Sequence, residues 1–189
     1  MMPHRRCCTL FALFAPAALL TACGTIITPP QAPRGVSVPE GNMVANILKG
    51  EGVLRYECRA GASGMFAWTV PMPEAVLKDQ SGAIVGRYRF SANAAPSWEH
   101  LDGSKVSGMV LSSASVPGNL DLQRVKAAPA SAARRGTMAG VTFIQQLNTA
   151  GGAVSGECTA AKAGAIQTVR YSADYYFYKP DFSDRVEPM

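Results

Sequence analysis

The sequence predicts an all-β domain: an antiparallel sandwich or barrel of about eight strands, with one disulfide and little helix. Three observations predict this class. Short runs rich in Val, Ile, Tyr, Phe and Trp alternate with clusters of Gly, Asn, Asp and Ser. No segment has the helical period that crossovers between parallel strands would need. Two cysteines lie 100 residues apart in the predicted domain, and 48% hydrophobic against 16% charged residues favours a folded core.

The strands are predicted in chain order from these runs. They cover residues 43–48, 52–58, 65–70, 83–90, 105–112, 120–127, 140–148 and 168–179. The last strand has the clearest alternation, since every second residue from Val169 to Phe177 is apolar and shares one face with Tyr171, Ala173 and Tyr175. That face is predicted to be core. Tyr176 and Tyr178 fall on the other face, where they either line a cavity or pack under a loop.

The connections are predicted from turn residues. Segments 79–82 and 101–104 each place Asp and Gly between apolar runs, which favours hairpin turns that fold 75–77 against 84–85 and Trp98 against the following strand. Residues 128–133 are rich in Ala, but Pro129 interrupts them. We therefore expect a loop there, with at most one helical turn.

Residues 1–22 have the pattern of an export signal. Arg5 and Arg6 precede the apolar stretch 9–20, which as a helix would rise only about 18 Å, too short for a hydrocarbon core of about 30 Å. The stretch ends in Leu-Thr-Ala-Cys, which looks like a bacterial lipobox with cleavage before Cys23 and lipidation of that cysteine. The alternative is an ordinary secretory signal in which Cys23 is a bystander thiol.

The predicted location of the mature protein is the bacterial cell envelope. Gly24 after the cysteine favours the outer membrane, with the domain facing the periplasm and the lipid at Cys23 as its membrane contact. Residues 23–38 contain three prolines and little patterning, which predicts a flexible tether. The β-rich domain then covers 39–179, and 180–189 form a C-terminal tail.

The charge balance argues against nucleic acid as a partner. Cleavage of residues 1–22 removes two arginines and no acids, so the mature chain has 18 − 2 = 16 basic against 13 acidic residues, a net charge of +3. These basic residues are scattered, and the only adjacent pair is Arg134-Arg135. A basic stripe that could follow a phosphate backbone is therefore not predicted.

Two cysteines of the mature domain are predicted to pair. Of five cysteines, three remain after cleavage and two after lipidation of Cys23, and an even number in an exported protein favours a disulfide between Cys58 and Cys158. A loop of about 100 residues gives roughly 4 to 5 kcal/mol in the chain-entropy model. The alternative, a metal or redox site, lacks the C-x-x-C spacing.

Catalytic motifs are absent from the sequence. It contains no G-x-S-x-G, G-x-G-x-x-G, G-x-x-x-x-G-K-[ST] or H-E-x-x-H, and His100 is the one histidine after residue 22. We therefore predict no catalytic residue, no metal site and no cofactor.

Two clusters could recognise a ligand. Trp98, Glu99, His100 and Asp102 combine a stacking face with hydrogen-bonding groups, as sugar and small-ligand sites do. The plainer interpretation is a hairpin with Trp98 in the core and Glu99 and His100 on the surface.

Asp174 and Tyr176 belong to the second cluster, an aromatic concentration in the last strand. If Asp174 is buried it needs a partner, because an unpaired charge in an apolar interior is costly. Arg87, Arg89 and Arg170 are the candidates.

Several ordered motifs resemble the family catalogued as domain of unknown function 3455. They are Trp68 with 73–77, the segments 82–86, 96–106 and 141–152, Cys158, and 171–178. The resemblance covers about 38 to 179 and implies secretion, the disulfide and one compact domain, without a biochemical role. Members usually carry His-Tyr near Arg87-Tyr88, so the resemblance does not transfer a site that uses that histidine.

These observations predict an exported, lipid-anchored envelope protein that is a non-catalytic binding or structural module. The alternative is an envelope enzyme acting on a glycan or small molecule through the cluster at 98–102, which requires Glu99, His100 and Asp174 to converge in one cleft. A third possibility, a module for a protein partner, predicts an exposed apolar patch. The expected partners are thus the membrane through Cys23 and a small molecule, glycan or protein.

Overall fold

The computed structural model describes residues 27, 28, 30–69, 73–91, 95–129 and 135–182. The predicted signal peptide, Cys23, Arg134 and the last seven residues lie outside these ranges. Within them, no helix is long and apolar enough to cross a membrane.

The described residues form nine strands, which make one antiparallel sheet. They are β1 (Asn42–Ala60), β2 (Phe66–Thr69), β3 (Glu74–Lys78), β4 (Ile84–Phe90), β5 (Pro96–His100), β6 (Lys105–Ala114), β7 (Leu122–Pro129), β8 (Phe143–Gly151) and β9 (Ile166–Pro180). The helical content of these residues is two single 3₁₀ turns, Arg34–Val36 and Ala160–Lys162. The predicted fold class is confirmed.

The sheet closes on itself through β1. One edge of β1 pairs with β9 from Asn42 to Glu57, and the other edge pairs with β3 over 49–53 and with β2 over 57–60. Each strand from β3 to β8 pairs with the strand that follows it along the chain. The result is an up-and-down barrel, which decides between the sandwich and the barrel.

The strand boundaries correct one prediction and confirm two predicted hairpins. Segments 43–48 and 52–58 are one strand, because β9 pairs with β1 without interruption across Lys49, Gly50 and Glu51. The two hairpin arms around 75–77 and Trp98 are strands β3 and β5 in their own right. β2 and β3 share one edge of β1 as an interrupted strand, so the barrel is eight strands around.

The core fills the inside of the barrel. Alternate residues of β9 point inward, as predicted, and Tyr175 and Phe177 have no exposed surface. Gly50 on neighbouring β1 makes room for this packing, because a Cβ there would lie 2.5 Å from the Tyr175 ring. The largest buried side chains are Trp98, Tyr175, Phe177, Leu48, Leu54, Leu77 and Ile144.

The N-terminal segment 34–38 packs on the outside of the barrel. Val36 is fully buried, and its carbonyl accepts a hydrogen bond of 2.7 Å from Gln145 Nε2, while Tyr178 Oη donates to Gln145 Oε1 at 2.8 Å. Arg124 Nη1 donates to the carbonyl of Ser37 at 2.6 Å. Contacts with the barrel therefore begin before residue 39, the predicted domain boundary, and Tyr178 packs under this segment.

The disulfide between Cys58 and Cys158 is confirmed, with their Cα atoms 5.5 Å apart. It joins the end of β1 to the connection between β8 and β9. Cys58 is fully buried, and its backbone N–H donates to the carbonyl of Ala165 at 2.9 Å. The bridge thus ties together the first and last strands where both enter the same end of the barrel.

Alternate connections of an up-and-down barrel meet at the same end. At one end, called the closed end here, the turn 101–104 meets the segment 135–141, which inserts Met138 into the core at 2% exposure. At the other, called the open end, the connections between β4 and β5, β6 and β7, and β8 and β9 come together. These ends differ in how they use polar groups.

The closed end is organised by one carboxylate. Asp102 Oδ1 accepts hydrogen bonds from the backbone N–H of Ser104 at 2.8 Å and from its hydroxyl at 2.5 Å. Asp102 Oδ2 accepts from the Thr137 N–H at 2.7 Å and from its hydroxyl at 2.8 Å. Ser104 Oγ accepts from the Met138 N–H at 3.0 Å, so the turn holds the segment that seals this end.

Candidate functional site

A cavity of about 380 Å³ opens at the open end of the barrel. Its walls are residues of seven strands and its rim is made of connections. The lining residues are Leu54, Tyr56, Pro73, Tyr88, Phe90, Pro96, Val110, Asn119, Leu120, Asp121, Gln123, Gln146, Gly152, Ala153 and Tyr171. The mouth of a small barrel is a common place for a ligand site, because side chains there need not fill the interior.

Aromatic rings support the inner wall of the cavity. Tyr88 lines it, and behind Tyr88 stand Tyr175 and Trp98, each with its ring centre 5.2 Å from that of Tyr88. Trp98 also meets Phe177 edge to face at 6.1 Å. Because each ring is held by others, the wall is preformed rather than shaped by a ligand.

Two hydroxyls of this wall are buried beside each other. Tyr171 Oη and Tyr175 Oη interact with one another, and outside this pair neither has a hydrogen-bond partner among the described residues. Burial raises the pKa of Tyr171 to about 12, against a smaller lowering by the Tyr175 hydroxyl. Burial also raises the pKa values of Tyr88 and Tyr175. All three phenols are therefore neutral at physiological pH.

The rim is held by hydrogen bonds to the backbone. Asn119 forms a bridge with Gly152, and Asn119 Oδ1 accepts from the Gly151 N–H at 2.6 Å. Gln146 Nε2 donates to the carbonyl of Asp121 at 2.8 Å, and Tyr56 Oη donates to the carbonyl of Gly152 at 2.5 Å. These bonds fix the connections between β6 and β7 and between β8 and β9 at the rim of the cavity.

Two polar side chains of the lining are left uncommitted. The carboxylate of Asp121 and the amide of Gln123 form no hydrogen bond or ion pair with the described residues. Asp121 is also the one charged residue in the lining, which contains no Lys, Arg or His. The cavity thus combines aromatic walls with a single negative charge near its rim.

The structure places Trp98 and Glu99 on opposite faces of β5. Trp98 is a core residue at 1% exposure, and its indole Nε1 is buried without a partner among the described residues. Glu99 lies on the outside, where its oxygens pair with Arg87 and Arg89, each at 2.6 Å. Partial burial opposes this, but the two arginines hold the pKa of Glu99 below its ordinary value. Glu99 is therefore an ion-paired surface carboxylate.

His100 and Asp102 belong to the closed end. His100 Nδ1 accepts a hydrogen bond from the Asp102 N–H at 3.2 Å. The His100 side chain lines a surface depression together with Glu99. Although partial burial would raise it, the pKa of Asp102 is held well below its usual range by the hydrogen bonds from Ser104 and Thr137. Asp102 holds a turn to the segment that seals the barrel.

Asp174 and Tyr176 lie on the outer face of β9. Asp174 Oδ2 accepts from Asn148 Nδ2 at 2.8 Å, so Asn148, rather than any of the three arginines considered, is its partner. Asp174 lines a different depression from the one that contains Glu99 and His100. The convergence that the predicted enzyme requires is not present.

Sequence reasoning missed the residues that do converge. Tyr56 and Tyr88 could have been found from strand alternation, since each sits two residues from another inward-facing apolar side chain. Asn119, Asp121 and Gln123 carry no such signal. Their position depends on a connection that bonds to a strand about 30 residues further along the chain.

No group of three or more His, Cys, Asp or Glu side chains is arranged to hold a metal ion in the ranges that the structure covers. Apolar side chains are exposed at three consecutive positions of β6, Met109, Val110 and Leu111. Val110 lines the cavity, so these side chains do not form one outward-facing apolar patch of the kind expected for a protein partner.

Comparison with known proteins adds one match. The sequence model of a family described as protein of unknown function (DUF3455) matches residues 39–179, about three quarters of the chain. No curated protein and no solved structure matched. The match covers every strand of the barrel.

Proposed function

We propose a binding function for this chain, which belongs to the DUF3455 family of proteins of unknown function. The barrel holds a small ligand in the cavity at its open end and performs no chemistry on it. The observation that carries the proposal is the cavity of about 380 Å³ at the open end, whose aromatic wall is held in place by further rings and whose Asp121 and Gln123 side chains form no hydrogen bond or ion pair with the described residues. A concave, mostly apolar space with a few free polar groups is typical of a small-ligand site.

The charge and acidity of the lining support binding rather than catalysis. General acid–base chemistry needs groups whose pKa lies near the working pH, usually in pairs. The tyrosines of the wall have raised pKa values and keep their protons, and Asp121 is the one carboxylate in the lining. Gln123 and Asp121 offer free polar groups, and the rings offer apolar surface, which suits recognition.

The export pattern and the disulfide support a place in the cell envelope. In this proposal residues 1–22 are removed, Cys23 carries lipid, and the domain faces the periplasm from the outer membrane. The bridge between Cys58 and Cys158 fits an oxidising compartment. The segment 34–38, packed on the barrel, would end the tether and set where the domain stands relative to its anchor.

Mass spectrometry of the protein extracted from its own envelope tests the proposal. Denaturing conditions report the lipid and the disulfide as covalent mass; native conditions report a retained ligand. We expect the wild type to carry a non-covalent mass that Ala153→Trp loses, because the larger side chain fills the cavity that Ala153 lines. Ala67→Trp, at an exposed position of β2 outside the cavity, is the matched control and should retain the ligand.

Three results would contradict the proposal. A ligand mass retained equally by both variants would place binding elsewhere on the molecule. A wild type without any retained mass, and without thermal stabilisation by a panel of small molecules, would favour a protein partner. Turnover of an envelope glycan or small molecule that Glu99→Ala abolishes would support the enzyme alternative.

A further inference from the structure

We infer that the ligand of the cavity at the open end is a small organic cation, bound with its ammonium group near the Asp121 carboxylate and against the tyrosine rings. This inference rests on the proposed binding function and adds the chemical class of the ligand. It is carried by three features of the lining: its charge, the polar groups that are already in use, and its aromatic walls.

The charge of the lining is the first feature. Asp121 is its one charged residue, and the carboxylate has no cation or hydrogen-bond donor beside it among the described residues. By contrast, Glu99 pairs with two arginines and Glu51 with Lys78 and Lys49. A site with one uncompensated negative charge and partial exclusion of water favours a cation and disfavours an anion.

The second feature is the shortage of free hydrogen-bonding groups. Tyr56 Oη, Gln146 Nε2 and both polar atoms of the Asn119 side chain are bonded to the backbone of the rim. What remains is the Gln146 side-chain carbonyl, the Gln123 amide and the Asp121 carboxylate. A sugar presents several hydroxyls, each needing a partner when buried. A quaternary ammonium group needs none, so it suits this cavity better than a glycan.

The third feature is the aromatic wall. Tyr56, Tyr88, Tyr171 and Phe90 all contribute to the lining, and Tyr88 is held in place by Tyr175 and Trp98. The negative face of an aromatic ring attracts a cation, and cages of such rings recognise quaternary ammonium groups. Because the phenols stay protonated, each ring keeps its neutral form while the carboxylate supplies the full charge.

The test compares two probes of one shape that differ in charge. Choline and its carbon isostere 3,3-dimethylbutan-1-ol are titrated calorimetrically into the full-length protein in a non-ionic detergent. We expect choline to bind about tenfold or more tightly than the isostere. Asp121→Asn should weaken the affinity for choline by about tenfold and leave the affinity for the isostere unchanged. Its backbone carbonyl still accepts from Gln146, so the rim is preserved.

Two further variants keep the test decisive. Glu74→Gln removes one negative charge from an exposed position outside this cavity, and we expect neither affinity to change. Asp121→Glu retains the charge and should retain the preference for choline. If Asp121→Asn does not fold, the comparison of the two probes on the wild type and on Asp121→Glu still decides the question.

The outcomes separate this inference from the function on which it rests. If both probes bind with equal affinity, or if Glu74→Gln and Asp121→Asn lose the same affinity for choline, the inference of an organic cation is overturned. The proposed binding function is not affected by either result. The same holds if neither probe binds while the native ligand mass is retained and is lost in Ala153→Trp. If neither probe binds and no mass is retained, both proposals fall.

Discussion

The two ends of the barrel differ in whether their polar side chains have partners within the protein. At the closed end the two oxygens of Asp102 accept four hydrogen bonds from Ser104 and Thr137, and this arrangement seats Met138 in the core. At the open end the carboxylate of Asp121 and the amide of Gln123 form no hydrogen bond or ion pair with the described residues. Both ends are built on the same strands, so the strands do not account for the difference.

Stability and binding are thus divided between the two ends of the barrel. A turn whose bonds are all made within the protein gains nothing from a ligand, whereas an end with unmade bonds gains stability when a ligand supplies them. The closed end should therefore dominate measurements of unfolding, and the open end measurements of binding. The disulfide between Cys58 and Cys158 is the exception, because it braces the open end covalently.

Removal of that bridge should have the largest effect. Replacing both Cys58 and Cys158 with Ala frees a loop of 100 residues, and we expect the free energy of unfolding to fall by about 4 kcal/mol. Urea unfolding followed by tyrosine and tryptophan fluorescence measures this. Unmodified wild-type protein under oxidising conditions should show no free thiol at these positions. A loss below about 1 kcal/mol would mean that the rim bonds hold the open end without it.

The next effect is expected at the closed end. Asp102→Ala removes four hydrogen bonds and releases the segment that carries Met138, so we expect a loss of about 2 kcal/mol in the free energy of unfolding. Asp79→Ala is the matched control. Asp79 accepts similar bonds from Ser81 and Ala83 in the turn between β3 and β4, but it holds no distant segment. Equal losses in the two variants would show that Asp102 supports only its own turn.

The pH dependence of stability should reveal the same carboxylate. Because the pKa of Asp102 is lower in the folded protein than the ordinary value of about 4, its ionised form stabilises the fold above about pH 4, and this contribution is lost as the pH falls further. The difference in unfolding free energy between wild type and Asp102→Asn should thus narrow between pH 6 and pH 2.5.

A variant without a titrating group controls this measurement. Met138→Ala leaves a cavity in the core, and its cost does not depend on protonation. Its difference from the wild type should stay constant over the same pH range. A gap for Asp102→Asn that is equally constant would contradict the role given to the carboxylate.

The smallest effect is expected from a hydroxyl at the open end. Tyr171→Phe removes a buried hydroxyl whose one polar neighbour among the described residues is the Tyr175 hydroxyl, so the free energy of unfolding should stay within about 0.5 kcal/mol of the wild type. Tyr56→Phe breaks a bond to the carbonyl of Gly152 and should cost about 1 kcal/mol. A loss in Tyr171→Phe as large as that in Tyr56→Phe would show that the contact between the Tyr171 and Tyr175 hydroxyls is a full hydrogen bond.

Much of the fold was predictable because its signals are local. The alternation in β9 identifies its inward face, and the Asp-Gly turns identify two hairpins. The count of cysteines predicts the bridge. The merged strand β1 was not predictable, because Lys49, Gly50 and Glu51 have the composition of a turn and stay extended only through pairing with β9.

The candidate site was much less predictable than the fold. Trp98, Glu99, His100 and Asp102 are neighbours along the chain, yet strand alternation sends the first two to opposite faces and the turn carries the others to the closed end. Asp121 and Tyr171 are 50 residues apart and meet at one cavity. Proximity in sequence was therefore a poor guide to proximity in space.

By itself the sequence determined the β class, the inward residues of its clearest strand, the cysteine pair and the membership in a family of unknown function. The tertiary structure alone decided that the sheet closes, which end of it is sealed and which polar groups are left without partners. The physical reason is the range of the interactions. Alternation and turn chemistry act over a few residues, whereas closure depends on pairing between Asn42 and Pro180, at opposite ends of the domain.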